Sequence, residues 1–442
     1  MEEERLDRLL TSLDSTIPVE LSSGQGDTLT RPGLRTVLEN MCEVLGIQHT
    51  DRFIDALIGD ILERFDKQHD GHISYQELLL VVKQFKKVPR RVTRHPQNIV
   101  VLGAGAFGTA LASVFARKGH AVSLYFREEE RGFAEQLKLS KRNNMCFPNI
   151  VLPQNIRAIC GRGELQKEMH SVQLIVLSIP VQFSRKFLSD HKDIFPPGVP
   201  FVSTSKGIEM KTLCFMQDIL EAVFGARHPL LYLSGPSFAK GLIDGDPTIV
   251  TLASMNQKVA KTVQMMLSGP EFRIYTSSDV IGLEISGALK NVLAILSGMA
   301  SGLNFGPNTQ ASLITRGWKD IVKIVAMKGG HVDTLLGLAG LGDLMMTCYG
   351  GLSRNAQFGR YLSQGLSPEE AVKKVGQVVE GYATVIAACD LAQKLGLQVP
   401  VLKGIKDVIT GKLHARDMIV FIMSLPLADE FADPLASRRS HL

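Results

Sequence analysis

The chain has 442 residues, of which 45% are hydrophobic and 21% are charged. This balance is typical of globular proteins that bury large cores, and it excludes a wholly disordered chain. The net charge of +5 is compatible with nucleic acid or with anionic metabolites, but no Lys/Arg-rich run with interleaved aromatic residues favours nucleic acid.

The cysteines and the N-terminal residues favour a location in a reducing compartment of the cell. Six cysteines lie far apart without a Cys-x-x-Cys pair, which predicts reduced thiols rather than disulfides or a zinc ribbon. The acidic N-terminus, Met-Glu-Glu-Glu-Arg, lacks the apolar stretch of a signal peptide. No run approaches the ~18 apolar residues that a membrane-spanning helix needs. We therefore expect a soluble, cytoplasmic protein.

Three domains are expected from the length and from changes in the sequence pattern. The first is helical and acidic, since residues 1–90 hold 16 Asp/Glu against 11 Lys/Arg. Short β-branched runs alternating with helical stretches then predict a doubly wound α/β sheet, and Ala/Leu/Gly-rich sequence after about Thr276 predicts an all-α domain. The predicted boundaries are 1–88 for the acidic module, 89–96 for a basic linker, 97–275 for the sheet domain, 276–425 for the helical domain and 426–442 for a flexible tail.

A calcium loop is predicted in the acidic module, after apolar residues that recur at helical spacing: Phe53, Leu57, Ile58, Ile61, Leu62 and Phe65. The next twelve residues match an EF-hand loop, with Gly71 at the sharp turn and Ile73 at position 8. Calcium prefers oxygen ligands, and the candidate metal-binding residues are Asp66, Gln68, Asp70, His72 and Glu77. Gln68 replaces the usual carboxylate or Asn at position 3, so we expect weakened affinity.

A partner for this loop is visible at Ser22–Gly33, where Leu29 falls at position 8. The partner lacks the oxygen ligands and is not expected to hold calcium. Two interpretations stay open. In one, the second loop of this EF-hand pair binds calcium, with or without a regulatory effect; in the other, both loops only hold a four-helix module together.

A dinucleotide loop is predicted at residues 103–108, Gly-Ala-Gly-Ala-Phe-Gly. It follows a predicted strand, Asn98–Leu102, and opens the helical run Thr109–Arg117, which is the context that this motif requires. Gly103 permits the turn, Gly105 lets a pyrophosphate approach the backbone, and Gly108 lets the helix pack on the strand. Further predicted strands are Ala121–Phe126, Leu174–Ser178, Pro200–Ser203, Leu231–Ser234 and Thr248–Ala253, of which the first three are expected to be buried and parallel, with the last two continuing the series.

The end of the second strand does not decide between NAD and NADP. Phe126 and Arg127 are followed by three glutamates, Glu128–Glu130, where an acidic residue usually binds the ribose. Arg127 could stack on adenine or meet a 2′-phosphate, whereas the glutamates could bind the ribose hydroxyls. We expect NAD to be preferred and NADP to be usable.

Several dense motifs follow the dinucleotide loop: Ser205-Lys-Gly207, Ser234-Gly-Pro-Ser-Phe-Ala239, Gly287-Ala-Leu-Lys-Asn291, Gly337-Leu-Ala-Gly-Leu-Gly-Asp343 and Ser353-Arg-Asn355. In this order, and over about residues 97–425, the chain resembles the NAD(P)-dependent glycerol-3-phosphate dehydrogenase family. The resemblance implies a Rossmann domain followed by a helical substrate domain. It also implies interconversion of dihydroxyacetone phosphate and glycerol 3-phosphate, generally by a homodimer.

The resemblance also assigns roles to residues that bear on the chemistry. Reducing a ketone requires a proton donor at the developing alkoxide, and Lys290 matches the family's general acid/base. Lys206 matches a second active-site lysine near the cofactor, and Asp343 matches the carboxylate that positions the catalytic lysine. Positions that match the substrate-binding residues are Lys206, Asn291, Thr347, Ser353, Arg354 and Asn355, and an Arg fork suits a phosphate dianion. Cofactor contacts are expected at Gly103, Gly105, Ala106, Phe107, Gly108, Phe126, Arg127, Pro180, Phe183, Lys206, Ala239, Arg354 and Glu380.

Two departures from the family pattern leave the catalytic groups in place. Gly241 stands where the family usually has Glu, and Tyr349–Leu352 mixes patterns from different branches. Alternatives are a related Rossmann β-hydroxyacid dehydrogenase and a non-catalytic calcium and dinucleotide sensor. The last three residues, Ser440-His441-Leu442, resemble a peroxisomal address, which makes a peroxisome the alternative to the cytoplasm.

Overall fold

The computed structural model describes residues 28–45, 49–66, 71–74, 77–78, 81, 93 and 95–424. The chain divides near Thr93 into two compact units, which are described separately. Gln68 and Asp70, most of the predicted linker and the C-terminal tail with its last three residues lie outside the described residues.

The first unit contains two described helices, α1 (Arg31–Leu45) and α2 (Asp51–Phe65), and two short strands, β1 (Thr28–Leu29) and β2 (Ile73–Ser74). The strands pair antiparallel, with Leu29 opposite Ile73. These two residues were both predicted at position 8 of their loops, and the EF-hand pair itself stays a prediction. Gly71 adopts a positive φ of 78° at the predicted sharp turn.

The buried face of α2 does not include all of the apolar residues that predicted the helix. Ile54, Ile58 and Ile61 are buried, whereas Phe53 is 44% exposed. Positions 54, 58 and 61 recur at the spacing of one helical face, and Phe53 lies about 100° away from Ile54 around the axis. The helix predicted from these apolar positions is present, and Phe53 lies on its exposed side.

The second unit begins with an eight-stranded sheet of order β10-β9-β8-β7-β6-β3-β4-β5. Its strands are β3 (Asn98–Leu102), β4 (Ala121–Phe126), β5 (Ile156–Cys160), β6 (Leu174–Leu177), β7 (Phe201–Ser203), β8 (Leu230–Ser234), β9 (Thr248–Ala253) and β10 (Phe272–Ser277). Strands β5 and β10 were not predicted. The strand order reverses between β3 and β6, and ligands bind at such a switch point in doubly wound sheets.

The sheet is mixed, although its strands were predicted to be parallel. β8 pairs parallel to β7 but antiparallel to β9, and β9 pairs parallel to β10. Apolar runs of this length indicate burial on both faces, not strand direction, so the sequence could not reveal the reversal.

Helices cover both faces of the sheet. They are α3 (Ala106–Arg117), α4 (Arg131–Ser140), α5 (Gly161–Glu168), α6 (Val181–His191), α7 (Met216–Phe224), α8 (Ala239–Asp244) and α9 (Gln257–Leu267). Alternate residues of β3 enter different cores: Ile99 and Val101 pack on one face, and Val100 and Leu102 pack on the other. This two-sided burial explains why the strand is apolar throughout.

The C-terminal part is helical and is built around α10 (Val280–Gly302). The other helices are α11 (Pro307–Lys328), α12 (Asp343–Tyr349), α13 (Arg354–Ser363), α14 (Pro368–Val375), α15 (Glu380–Lys394), α16 (Pro400–Ile409) and α17 (Ala415–Met423). A Cβ on Gly298 would lie 1.9 Å from the carbonyl oxygen of Ala356, so α10 and α13 approach each other closely. This contact holds the start of α13 near the middle of α10.

One helix in the described part of the chain, α10, is long and apolar enough to cross a membrane. The structure buries 89% of its most apolar window inside the protein. Burial in the helical core accounts for that composition.

Candidate active site

The dinucleotide loop has the backbone geometry that its glycines predict. Gly103 has a φ of 114°, and a Cβ there would lie 2.7 Å from the carbonyl oxygen of Ser178 at the end of β6. A Cβ on Gly108 would lie 2.0 Å from the carbonyl oxygen of Gly103. Neither position accepts a side chain, so the turn and the start of α3 depend on both glycines.

Gly105 is different, because it is exposed and a Cβ there would meet nothing within 4 Å. It precedes α3, whose first residues are Ala106 and Phe107, both partly exposed. The loop therefore leaves an open space at a helix N-terminus, where backbone N–H groups and the helix dipole favour a pyrophosphate.

At the end of β4, Arg127 is held by Glu130. Glu130 Oε1 accepts hydrogen bonds from Arg127 Nε at 3.1 Å and from Nη2 at 2.6 Å, and Glu130 Oε2 accepts from the backbone N–H of Arg127. Phe126 is fully buried in the sheet core. The Phe126 ring has no accessible surface, and the predicted cofactor contact at this residue stays a prediction.

Other predicted cofactor residues lie at the ends of strands. Pro180 precedes α6 just after β6, and Phe183 in the first turn of that helix is 60% exposed. Ala239 is the first residue of α8, which follows β8. The structure places all three after the carboxyl ends of parallel strands, where dinucleotides dock in such sheets.

Asp343 joins two lysines that come from different parts of the chain. Lys206 follows β7, Lys290 lies in the middle of α10, and Asp343 starts α12 after a π-helical turn at Leu338–Gly342. Lys206 Nζ donates to Asp343 Oδ2 at 2.7 Å, and Lys290 Nζ donates to Asp343 Oδ1. One carboxylate thus holds both ammonium groups, one on each oxygen.

This cluster is largely removed from water. Asp343 is fully buried and Lys290 is 4% exposed. Burial lowers the pKa of Lys290 to about 8; Asp343 acts in the opposite direction, and the ammonium of Lys206 adds to the lowering. An amine with a pKa near 8 can donate and accept a proton close to neutral pH, which a solvated lysine does not do.

Thr347 and Asn291 surround the same amine. Thr347 Oγ1 accepts a hydrogen bond from Lys290 Nζ at 2.6 Å and donates to the backbone carbonyl of Asp343 at 2.6 Å. Asn291 Nδ2 donates to Glu380 Oε2 at 3.3 Å. Burial raises the pKa of the Glu380 carboxyl above its ordinary value, although Arg354, Lys206 and Lys290 act in the opposite direction. Glu380 therefore lies among these cations.

The predicted phosphate-binding residues begin α13. Ser353 caps this helix by accepting a hydrogen bond from the N–H of Ala356, and Arg354 in the first turn is exposed. Asn355 is buried and its Oδ1 accepts from the backbone N–H of Gly381 at 2.9 Å. A guanidinium at a helix N-terminus suits an oxyanion, because both groups favour negative charge there.

Sequence reasoning missed Glu284, which lies near Lys206. Glu284 and Lys290 are the two charged residues of α10. The other residues of this helix are apolar or uncharged. A carboxylate in such a helix is costly without partners, and that signal was present in the sequence. Glu284 accepts from the backbone N–H of Gln217 at 3.2 Å.

No group of three or more His, Cys, Asp or Glu that could hold a metal occurs among the residues that the structure describes. In the predicted calcium loop, Asp66 Oδ2 accepts from the N–H of Gly71 at 2.8 Å, and Glu77 Oε2 accepts from the N–H of Ser74 at 2.9 Å. Both contacts lie among the described residues of this segment, and calcium binding there stays a prediction.

Comparisons with known proteins agree with this arrangement. Models of the N-terminus and C-terminus of NAD-dependent glycerol-3-phosphate dehydrogenase match residues 98–260 and 279–420. Glycerol-3-phosphate dehydrogenase [NAD(P)+] of Leptospira biflexa is 40% identical over 335 residues, which cover 75% of this chain and 99% of that protein. Glycerol-3-phosphate dehydrogenase [NAD(+)] 2, chloroplastic, of Arabidopsis thaliana is 35% identical, with coverage of 83% and 87%.

A solved structure shows the same relationship in three dimensions. Glycerol-3-phosphate dehydrogenase of Coxiella burnetii superposes with a TM-score of 0.70 at 32% identity, covering 74% of this chain and 99% of that one. The family motifs, the Rossmann-like sheet with its helical C-terminal domain and these similarities lead to one conclusion: the chain belongs to the NAD-dependent glycerol-3-phosphate dehydrogenase family.

Proposed function

We propose that this protein interconverts dihydroxyacetone phosphate and sn-glycerol 3-phosphate with a nicotinamide dinucleotide. The observation that carries the proposal is the ion-paired cluster in which Asp343 holds Lys206 at 2.7 Å and also holds the buried Lys290. A ketone reductase needs an acid at the carbonyl oxygen, and this cluster supplies one whose pKa is close to the working pH.

Each residue has a defined task in the reduction. The bound dinucleotide supplies the hydride. Lys290 donates its proton to the alkoxide oxygen as that oxygen gains charge, and Lys206 adds positive charge from the other oxygen of Asp343. Asp343 keeps both amines in place, and Thr347 fixes the direction of the Lys290 ammonium through its hydroxyl.

The substrate phosphate would bind at the start of α13. Arg354 supplies a guanidinium, and the backbone N–H groups of the first turn that Ser353 does not cap would face the same anion. At the other end of the substrate, Lys290 is proposed to contact the carbonyl oxygen. Asn291, its neighbour in the chain, contacts Glu380. The phosphate group and the carbonyl group of the substrate would therefore contact different residues. This division favours a short phosphorylated ketone over an unphosphorylated one.

NAD is proposed as the preferred cofactor. Glu130 neutralises Arg127 with two side-chain hydrogen bonds, Arg131 pairs with Glu128 in the same way, and Glu129 adds negative charge at the end of β4. A 2′-phosphate would approach these three carboxylates, whereas the 2′-hydroxyl of NAD can donate to one of them. NADP is expected to work with lower affinity.

The activity is tested with the full chain by following NADH oxidation. Dihydroxyacetone phosphate should support turnover, and unphosphorylated dihydroxyacetone at equal concentration should support much less. A protein that binds NADH but oxidises it with no phosphorylated triose would be a dinucleotide-binding sensor. Faster turnover with a β-keto acid would instead assign the chain to another reaction.

We also propose that the loop from Asp66 to Glu77 binds calcium. The support is the antiparallel pairing of Leu29 with Ile73, the positive φ of Gly71 and the carboxylates at both ends of the loop. Calcium would be held by oxygen atoms of Asp66 and Glu77 together with those of the intervening predicted ligands, and it would supply positive charge that ties the loop ends together.

Calorimetry on the full chain tests the calcium site. Calcium should release or absorb heat with the native chain, and Glu77→Gln should abolish the signal. The matched control, Glu63→Gln, changes an exposed glutamate on α2 and should leave the signal unchanged. Absence of heat at millimolar calcium would reject the site. Equal NADH oxidation rates in calcium and in chelator would reject regulation by calcium.

A further inference from the structure

A small polar cavity lies next to Lys206. It has a volume of about 10 Å³ and is bordered by β7, β8 and α10. Three of its hydroxyl groups, those of Ser203, Tyr232 and Ser234, are buried and have no hydrogen-bond partner within the protein. A buried hydroxyl group without a hydrogen-bond partner destabilises the folded protein. Three such hydroxyl groups around one cavity therefore indicate that the cavity binds a polar molecule.

The sheet brings the three hydroxyls to one face. Ser203 on β7 lies opposite Tyr232 on β8, and Ser234 is two residues farther along β8. Residues at positions i and i+2 of a strand point to the same side. Gly287 on α10 closes the cavity from above, since a Cβ there would lie 2.7 Å from Ser234 Oγ and 3.8 Å from Lys206 Cδ.

Glu284 completes the polar lining one helical turn before Gly287. Burial raises its pKa to about 8, and the nearby carboxylates of Asp218 and Glu221 add to the rise, while the backbone N–H groups of Gln217 and Met216 act in the opposite direction. The raised pKa favours the protonated carboxyl group near neutral pH, and this form can donate a hydrogen bond as well as accept one.

We propose that this cavity binds one internal water molecule, and that the water links the ammonium of Lys206 to two or three of the polar groups that line the cavity, which are Glu284 and the hydroxyls of Ser203, Tyr232 and Ser234. A cavity of this volume holds one water, and buried waters make about three hydrogen bonds to such groups. A monovalent cation fits less well, because Lys206 already places a positive charge beside the cavity.

The water gives Lys206 a second fixed contact. An ammonium group has three donors, and one of them goes to Asp343 at 2.7 Å. A second donor directed to the water leaves the third for the substrate or cofactor. Glu284, Tyr232 and Ser234 are thus positioning residues that act through Lys206. This role rests on the proposed function of Lys206 in the reaction, whereas occupancy of the cavity does not.

A crystal structure of the full chain with NADH tests occupancy directly. Electron density for one water within hydrogen-bonding distance of at least two of the three hydroxyls is expected. An empty cavity, or a monovalent cation in it, would overturn the proposal. Gly287→Ala should remove the water by filling the cavity with one methyl group, which the rotatable Ser234 hydroxyl and Lys206 stem can accommodate.

Variants test the link to Lys206. Tyr232→Phe and Ser234→Ala should each weaken glycerol 3-phosphate binding to the NADH-loaded protein about 3- to 10-fold, as expected for loss of one hydrogen bond. Tyr125→Phe is the matched control, since Tyr125 is buried on β4 and does not line the cavity. Glu284→Gln should preserve binding, because an amide replaces a protonated carboxyl group, and Glu284→Leu should not.

A double-mutant cycle separates positioning from a general effect on the fold. In a Lys206→Gln background, Tyr232→Phe should cause less than a 2-fold further loss of binding. If its effect is the same in both backgrounds, Tyr232 does not act through Lys206 and the link is wrong. If the wild-type chain shows no activity with dihydroxyacetone phosphate, the proposed function is wrong. The crystal structure still tests the bound water, because occupancy of the cavity does not depend on activity.

Discussion

The dinucleotide loop and the lysine–aspartate cluster form in different ways. The loop consists of consecutive residues, Gly103–Gly108, and acts through backbone atoms. The cluster joins Lys206 and Lys290 to Asp343, which lies 137 and 53 residues away along the chain. Its chemistry depends on burial and on neighbouring charges. A local motif can therefore be recognised from spacing, whereas the properties of the cluster exist only after folding.

The two sites are also expected to fail in different ways. Loss of a glycine in the loop moves backbone atoms and weakens binding of the dinucleotide. Loss of a charged group in the lysine–aspartate cluster should leave binding of the dinucleotide largely unchanged. It should instead remove proton transfer to the substrate or the balance between the two ammonium groups and the carboxylate. Separate measurements of dinucleotide affinity and of turnover therefore distinguish the two sites.

The largest effect is expected from Lys290→Ala. Removing the proton donor should lower kcat for reduction of dihydroxyacetone phosphate about 10²- to 10⁴-fold, with NADH affinity within about 2-fold of the native value. Steady-state kinetics and NADH fluorescence titration measure the two quantities. Lys186→Ala, which changes an exposed lysine on α6, is the control. Retained turnover would remove Lys290 from its role.

Asp343→Asn should lower kcat about 100-fold or more, because two ammonium groups would then face each other without a buried counter-charge. Breaking a buried ion pair also costs about 3–5 kcal/mol of the free energy of unfolding. Chemical denaturation gives the stability, and kinetics give kcat. A small change in kcat with a large loss of stability would make Asp343 a structural residue only.

Gly108→Ala tests the loop. A Cβ at this position would lie 2.0 Å from the carbonyl oxygen of Gly103, so the backbone must shift at a cost of about 1–3 kcal/mol. We expect NADH affinity to fall about 10-fold, with a smaller change in kcat at saturating NADH. Gly132→Ala is the control, because a Cβ at Gly132 on α4 meets nothing within 4 Å. Equal affinities in both variants would contradict the role of the loop.

The pH profile tests the environment of Lys290, whose pKa is lowered to about 8. Reduction requires the protonated amine, so kcat/KM should fall about 10-fold per pH unit above pH 8. Oxidation of glycerol 3-phosphate requires the neutral amine, so its kcat/KM should rise with pH and level off above pH 8. Profiles that change in the same direction for both reactions would rule out Lys290 as the titrating group.

The smallest effect is expected from Glu130→Gln. This change keeps an acceptor for Arg127 but removes one negative charge at an exposed pair, so it should raise the NADPH/NADH ratio of kcat/KM by about 2- to 5-fold. Glu135→Gln, which changes a glutamate paired with Lys138 on α4, is the control. An unchanged ratio would show that Glu130 does not set the cofactor preference.

Particular residues show how far sequence reasoning reached. The roles of Gly103 and Gly108 could be predicted, because a tight turn and a close helix contact exclude a side chain wherever this motif occurs. The burial of Phe126 was predicted with its strand, but the reversal of β9 could not be predicted. An apolar run is the same in a parallel and in an antiparallel strand, so the sequence does not reveal the strand direction.

The sequence by itself determined that an α/β sheet precedes a helical part, where the phosphate-binding turn lies and to which family the catalytic part belongs, because these depend on residues that are close in the chain. Only the tertiary structure decided that one carboxylate holds two lysines, that Lys290 has a pKa near 8 and that three hydroxyls surround a cavity beside Lys206. Charge interactions and desolvation depend on distance through space, and folding alone sets those distances.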